Sequence, residues 1–282
     1  MNRVSVWLPR LGLSALMLCL ASGIVLLFHY RPMGNVFRNV EEITTLVPYG
    51  WFFRQLHYGA GQVFVILMLL HTLDHLVRRR YRMYPFKDWV CLTLSLAICF
   101  YTLFTGFILK GDQEGIFAGR IFQSIMETIP MAGGPGSRLF ITPGEGFFLL
   151  PYIYHCFFLP VLMIYLMRGH VREWLPDRKF VVSAAIGLSL YALLVKPGVG
   201  IPPEVSVPSV AGPWFFQGIQ TLLRILPPFL AGIVIPGLFM GSLLLLPARG
   251  RPLRAVSYLH PLIIIALTVY GILTLRAAVW GP

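Results

Sequence analysis

The chain has 282 residues, 57% of them hydrophobic and only 12% charged, with a mean hydropathy of +0.74. Soluble domains carry roughly a quarter charged residues, so a water-soluble fold is excluded and an integral membrane protein is indicated. The formal net charge of +12 is spread in short runs between apolar stretches, which points to a lipid membrane rather than to nucleic acid.

Seven stretches are long and apolar enough to cross a hydrocarbon core of roughly 30 Å: residues 11–30, 52–77, 89–109, 147–169, 180–196, 228–246 and 257–276. The expected fold is all-α, a polytopic membrane helix bundle of about seven transmembrane helices with no internal repeat. The first stretch, "RLGLSALMLCLASG", has the basic start and small residues of a secretory signal, but it continues through "IVLLFHYRP" and is expected to remain as a span. The second, "LHYGAGQVFVILMLLH", holds His57 and His71, and the basic run Arg78, Arg79, Arg80, Arg82, Lys87 follows it. After the third span comes a connector, residues 110–146, with Asp112, Glu114, Glu127, Glu145 and the glycine-rich "MAGGPGSR". The fourth span, "LLPYIYHCFFLPVLMIYLMRGH", holds His155 and His170 and leads into Arg172, Arg178 and Lys179; Arg249, Arg251 and Arg254 precede the seventh. With alternating loops, these basic runs share one side. The positive-inside rule makes that side, and the N-terminus, cytoplasmic, as in a multi-pass protein of the inner (cytoplasmic) membrane.

The histidines carry the chemistry. His57 and His71 are fourteen residues apart, about 21 Å along a helix and within about 40° of one face; His155 and His170, fifteen apart, lie roughly 22 Å and 60° apart. The second and fourth spans cross in the same direction, which pairs His57 with His155 near the outer face and His71 with His170 near the inner. Two imidazoles facing each other across a bundle suit the axial ligation of one haem iron, and two such pairs make an electron wire through the membrane. Intramembrane histidines also serve proton paths; a zinc or copper ion would need its ligands at one depth, whereas these four are split between two. His29, His75 and His260 are expected to be interfacial or structural, although Asp74 and His75 sit at the inner level, where a quinone or proton site could use them. The four cysteines, Cys19, Cys91, Cys99 and Cys156, lack metal-ligand spacing and are expected to pack. Trp51, Trp89, Trp174 and Trp280 are placed at span ends, where indole suits the membrane interface.

At these residues the chain resembles the cytochrome b subunit of bc-type quinol:cytochrome oxidoreductases, in the chloroplast and cyanobacterial layout. "SGIVLLFHYRP" is similar to that family's first helix end, "YGWFFRQLHYGAG" to its second helix start and "FTGFILKGDQ" to the stretch after its third helix. The fifteen-residue ligand spacing, with Pro160 five after His155, matches the chloroplast type. "PWFFQGIQTLLRILPPFLAGIVIPGLFMGSLLLLP" is similar to the quinol-site stretch and the helix after it. The resemblance implies a four-helix di-haem module, residues 1–175, fused to a three-helix subunit IV-like module, residues 176–282. It implies two non-covalent b haems on His57/His155 and His71/His170, a propionate contact from Arg54, glycine seats at Gly23 and Gly106, and quinone or quinol as substrate. It further implies a Rieske iron–sulfur protein or c-type cytochrome partner on the outer face, and a homodimer. Connector 110–146 would cap an outer quinone pocket, or simply link the spans.

Three departures accompany the resemblance. Gly212, Pro213, Trp214 and Phe215 stand where the family has Pro-Glu-Trp-Tyr; proline has no side chain that accepts a proton, so Trp214 and Phe215 join Asp74 and His75 as quinone-site candidates, with a carboxylate of the connector as a substitute base. Pro9 and Leu92 occupy the positions of the inner glycines, and Asp74 that of an arginine. Trp7 falls where the chloroplast type has a haem-anchoring cysteine, which implies no third, covalent haem. The expected function is a quinone-linked electron-transfer subunit of a multisubunit oxidoreductase. Its rivals are a non-bifurcating quinone-reactive anchor for a multihaem or molybdenum-type partner and, in a different class, a proton-coupled transporter; visible haem absorbance separates the last from the others.

Overall fold

The computed structural model describes residues 3–247, apart from 199, 206, 208, 209 and 211, together with 260–266 and 269–271. In chain order the α-helices are α1 (Arg3–Leu27), α2 (Val36–Thr45), α3 (Gly50–Val77), α4 (Phe86–Ile108), α5 (Gln113–Glu127), α6 (Gly133–Arg138), α7 (Leu149–Ile153), α8 (Leu159–Glu173), α9 (Arg178–Leu194), α10 (Gln217–Leu223) and α11 (Ile235–Leu245), with further helix from His260. The expected all-helical membrane bundle is found; no strand occurs among the described residues.

Among the described residues four runs are long and apolar enough to cross a bilayer: α1, α3, α4 and the continuous Gly144–Glu173 that contains α7 and α8. The expected count of seven is not confirmed among the described residues, and part of the seventh stretch, 257–276, lies outside them. Helix α9 has 17 residues, about 25 Å, and Leu230–Leu245 and His260–Gly271 are shorter apolar helices. The tryptophan at 280 and the arginines at 249, 251 and 254 lie outside the described residues. Connector 110–146 is not an irregular loop. It folds into α5 and α6, because Asp112 caps α5 by accepting from the Gly115 N–H at 2.9 Å, satisfying an otherwise orphan donor. Asn35 does the same for α2, accepting from the Arg38 N–H at 2.9 Å.

Inside a membrane, helices gain little from hydrophobicity and associate through close packing of small residues. Helices α1 and α3 meet along such a seam: Ala15 and Ala60 are fully buried, and Gly61 lies against the Cys19 thiol, Sγ falling 3.6 Å from where a Cβ would stand. Leu16, Phe64, Cys99, Met163 and Ala192 join α1, α3, α4, α8 and α9 in one core. Helix α9 is pinned to α3 where Gln55 Nε2 donates to the Tyr191 hydroxyl at 2.9 Å.

The fourth span contains a π turn, Tyr154–Phe158, between α7 and α8, and His155 lies in it. A π turn absorbs one extra residue, and Pro160, at the start of α8, has no N–H to close a regular α turn there. The fifteen-residue spacing of His155 and His170 therefore acts as fourteen, the spacing of His57 and His71. The 60° offset expected for a straight helix falls to about 40°, and the two histidine pairs acquire the same pitch.

Candidate functional site

The four spans bring the histidines together at two levels. At the upper level, His57 of α3 and His155 of the π turn have ring centroids 5.9 Å apart at an interplanar angle of 80°. His57 Nδ1 is 2.9 Å from the Cys19 carbonyl of α1, and His155 Nδ1 is 2.9 Å from the Thr102 carbonyl of α4. Each bond assigns the proton to Nδ1 and leaves Nε2 with its lone pair, the state in which imidazole ligates a metal.

One helical turn past each carbonyl comes a glycine. A methyl group on Gly23 would lie 2.9 Å from His57 Cε1, and one on Gly106 would lie 2.5 Å from His155 Cε1. The i, i+4 geometry puts carbonyl and glycine on one helix face, so Cys19 with Gly23 and Thr102 with Gly106 form equivalent cradles for the two rings. The resemblance implies haem seats at these two glycines; the structure places both against the histidine rings.

At the lower level His71 and His170 have ring centroids 5.8 Å apart. His71 is 7% exposed, and neither of its ring nitrogens, nor His170 Nδ1, has a hydrogen-bond partner. Buried polar atoms are seldom left so, and a metal held between the two rings would take one nitrogen from each. Imidazoles binding one metal from opposite sides, at about 2.0 Å per nitrogen, have centroids roughly 6 Å apart; both levels match. The lower rings line a cavity with Phe64, Met68, Leu92, Cys99, Met163 and Met167, an almost wholly apolar lining. Leu92 does line this seat, while close approach on α1 is supplied by Gly12, whose Cβ would collide with the Met68 methyl group.

The structure extends the sequence reading of His75, an inner-level quinone or proton-site candidate, and buries two tryptophans expected at the interface. His75 joins His71 and His170 in a cluster whose nitrogen donors lie within 4.8 Å of one another, with Nδ1 3.1 Å from the His71 carbonyl and Nε2 3.0 Å from the Tyr84 hydroxyl. Trp174, expected at the interface, is 8% exposed and packs 5.8 Å from His71 and 6.1 Å from His170. Trp89, also expected there, is buried, its indole N–H donating to the Leu243 carbonyl at 2.7 Å. The i, i+4 repeat of His71 and His75 was the available signal for the cluster; nothing local marks Trp174.

The other candidates are placed as follows. Arg54 donates to Thr44 Oγ1 at 2.9 Å, away from the histidines' hydrogen bonds. Asp74 accepts from Ser5 Oγ at 3.0 Å and Arg78 Nε at 2.5 Å and lies 3.6 Å from Arg80, which ties α1 to the end of α3. Trp214 donates to Gln62 Oε1 at 2.7 Å, and Phe215 is buried among Phe104, Ile108 and Ile141. Of the connector carboxylates, Asp112 is buried and paired with Lys110 at 2.7 Å, Glu114 shares that lysine at 2.8 Å, and Glu127 and Glu145 are exposed. His29 is exposed, and His260 Nε2 lies 2.9 Å from the Leu76 carbonyl.

Two stacked imidazole pairs in a membrane helix bundle define the class, a membrane redox protein of the cytochrome b kind. The family model described as cytochrome b/b6/petB matches residues 6–174, more than half of the chain, and the chain belongs to that family. Cytochrome b6 of Mesostigma viride is 30% identical over 155 residues, and that of Gracilaria tenuistipitata var. liui 29% identical over 154; each alignment covers 53% of this chain and 72% of the relative. A solved structure titled "Hyperthermophilic respiratory Complex III" shares the fold over 97% of this chain and 84% of its own, with a TM-score of 0.71 at 18% identity. The protein is therefore a multi-pass membrane protein of electron transport, and its fold likeness extends well past the matched family region.

Proposed function

We propose that the chain carries electrons across the cytoplasmic membrane through two bis-histidine b haems, one on His57 and His155 and one on His71 and His170, as the quinone-reactive subunit of a bc-type complex. The carrying observation is the pair of imidazole couples at 5.9 and 5.8 Å on one pair of helices. Bound haem supplies one-electron redox chemistry. The chain's residues hold and orient it: the Cys19 and Thr102 carbonyls fix the tautomers of His57 and His155, Gly23 and Gly106 leave room for the rings, and the apolar lower cavity keeps water from the inner couple.

Residues 1–175 form the di-haem module and 176–282 a subunit IV-like module; the match ending at residue 174 and the break between α8 and α9 support that division. The basic face is cytoplasmic, and a Rieske protein or c-type cytochrome receives electrons on the other. With proline in place of the quinol-site glutamate, and with Asp112 committed to capping α5 and pairing Lys110, no described connector carboxylate is both buried and unengaged. That favours the second redox form, a non-bifurcating quinone-linked anchor, over bifurcated quinol oxidation. The test is to add a quinol to oxidised membranes containing the full complex, then pulse an oxidant. Reduction of b-type absorbance by quinol is expected, without the extra, oxidant-induced reduction that bifurcation produces. Extra reduction would restore bifurcation, and no quinol-dependent reduction would remove the quinone link.

A further inference from the structure

The two levels differ in the number of nitrogen donors they offer. The upper level has His57 and His155. The lower has three, because His75 stands one turn beyond His71, its ring centroid 4.3 Å from that of His71 and 6.1 Å from that of His170. The separation of His75 from His170 is thus as suitable for one metal between them as the 5.8 Å separation of His71 from His170. All three rings line the same cavity.

The hydrogen bonds of His75 also favour ligation. Its Nδ1 lies 3.1 Å from the His71 carbonyl, an acceptor only, so Nδ1 carries the proton and Nε2 the lone pair. That lone pair now accepts from the Tyr84 hydroxyl at 3.0 Å. Ligation therefore requires the Tyr84 side chain to withdraw from Nε2, after which Nε2 becomes a metal donor without any change in protonation. This is the same arrangement that prepares His57 and His155 at the upper level, a backbone carbonyl on Nδ1 and a free Nε2. His71, by contrast, has no partner on either nitrogen, so nothing in the protein fixes its tautomer.

We propose that His75 is a second axial donor for the inner haem, able to take the place of His71 opposite His170. This rests on the di-haem function proposed above. One neutral imidazole nitrogen replaces another, so charge, proton count and iron oxidation state are unchanged; only one iron–nitrogen bond is exchanged for a second. The upper level has no such reserve among the described residues, where the three-histidine cluster is the only group of its kind.

The experiment uses full-length protein purified from membranes, with haem counted by pyridine haemochrome and ligation probed by carbon monoxide, which binds reduced haem only where an axial position is open. The His71→Ala and His75→Ala variants are expected to keep two haems, neither reacting with carbon monoxide. His71→Ala/His75→Ala and His170→Ala are expected to fall to one haem or to retain a lower haem that binds carbon monoxide. His57→Ala is expected to show such a loss with a single substitution. If His71→Ala alone loses a haem or gains carbon monoxide binding, while the wild type holds two, His75 is not a donor and the proposal fails. Fewer than two haems in the wild type would instead overturn the di-haem function. His71→Leu, which keeps the bulk, replaces His71→Ala if that variant does not accumulate; the upper haem reports that each lower-level variant is folded, and the lower haem does so for His57→Ala.

Discussion

Adding a methyl group at Gly106 should damage the upper level, although glycine-to-alanine changes inside helices ordinarily stabilise by about 1 kcal/mol. The new carbon would stand 2.5 Å from His155 Cε1, 3.0 Å from Nδ1 and 3.2 Å from Nε2. The ring cannot retreat freely, because its Nδ1 is held 2.9 Å from the Thr102 carbonyl. Overpacking of this kind costs about 1–3 kcal/mol, and a ring that swings away gives up a hydrogen bond worth about 1 kcal/mol. The expected net effect of Gly106→Ala is a destabilisation of roughly 1–3 kcal/mol, centred on the histidine. Gly23→Ala should cost less, since its closest approach to His57 is 2.9 Å. Gly187→Ala is the control: it lies within α9 with nothing within 4 Å of a new Cβ and should be neutral or stabilising. The assay is a thermal melt of the purified protein, followed in parallel by upper-haem absorbance. Gly106→Ala melting at or above the wild type with its absorbance intact would refute the cradle.

Three further outcomes are expected. Deleting Phe157 from the π turn should leave both histidine pairs working, because a straight helix with fourteen-residue spacing replaces a bulged one with fifteen; deleting Val65 from α3, which has no π turn, rotates His71 by about 100° from its partner and should abolish lower-level haem absorbance. Trp214→Phe removes the indole N–H that donates to Gln62 at 2.7 Å and should lower stability by about 1 kcal/mol in thermal denaturation; an unchanged melt would show that bond to be idle. Burial alone pulls the Lys110 ammonium down, but Asp112 and Glu114 outweigh it and hold it above its usual 10.5. A raised folded value means the contribution is complete below pH 10.5 and is lost as pH climbs through the folded value. Lys110→Met should therefore flatten the alkaline limb of a stability–pH curve; an unchanged alkaline limb would remove that role.

Much of the site was legible because helical periodicity is rigid. The fourteen-residue interval in α3 and the near-equal one in the fourth span were enough to pair His57 with His155 and His71 with His170, whereas Gly23 and Gly106 came from the family resemblance alone. What was not legible depended on tertiary detail. The π turn that converts fifteen residues into fourteen is a backbone choice that Pro160 permits without announcing. His75 looked like an interface residue because its value lies in its distance from His170, on another helix. Trp174 and Trp89 fit the aromatic belt by position, and only the fold of the chain ends against them buries them. The ends of α9 and Leu230–Leu245 were less legible for a related reason: both are apolar enough to suggest crossings, but the sequence sets their character more firmly than their ends. The connector 110–146 hid two helices: Asp112, one of four carboxylates from which a substitute base was sought, is the N-cap of α5.

The most direct measurement is the haem content of the purified full-length chain, by pyridine haemochrome and a dithionite-reduced minus oxidised spectrum, beside His57→Ala and His155→Ala. Two b-type haems per chain are expected, with each variant losing the same one or exposing it to carbon monoxide. A folded chain with no haem would contradict the electron-transfer function and leave the histidines to proton-coupled transport. Two haems untouched by either substitution would contradict the assignment of His57 and His155.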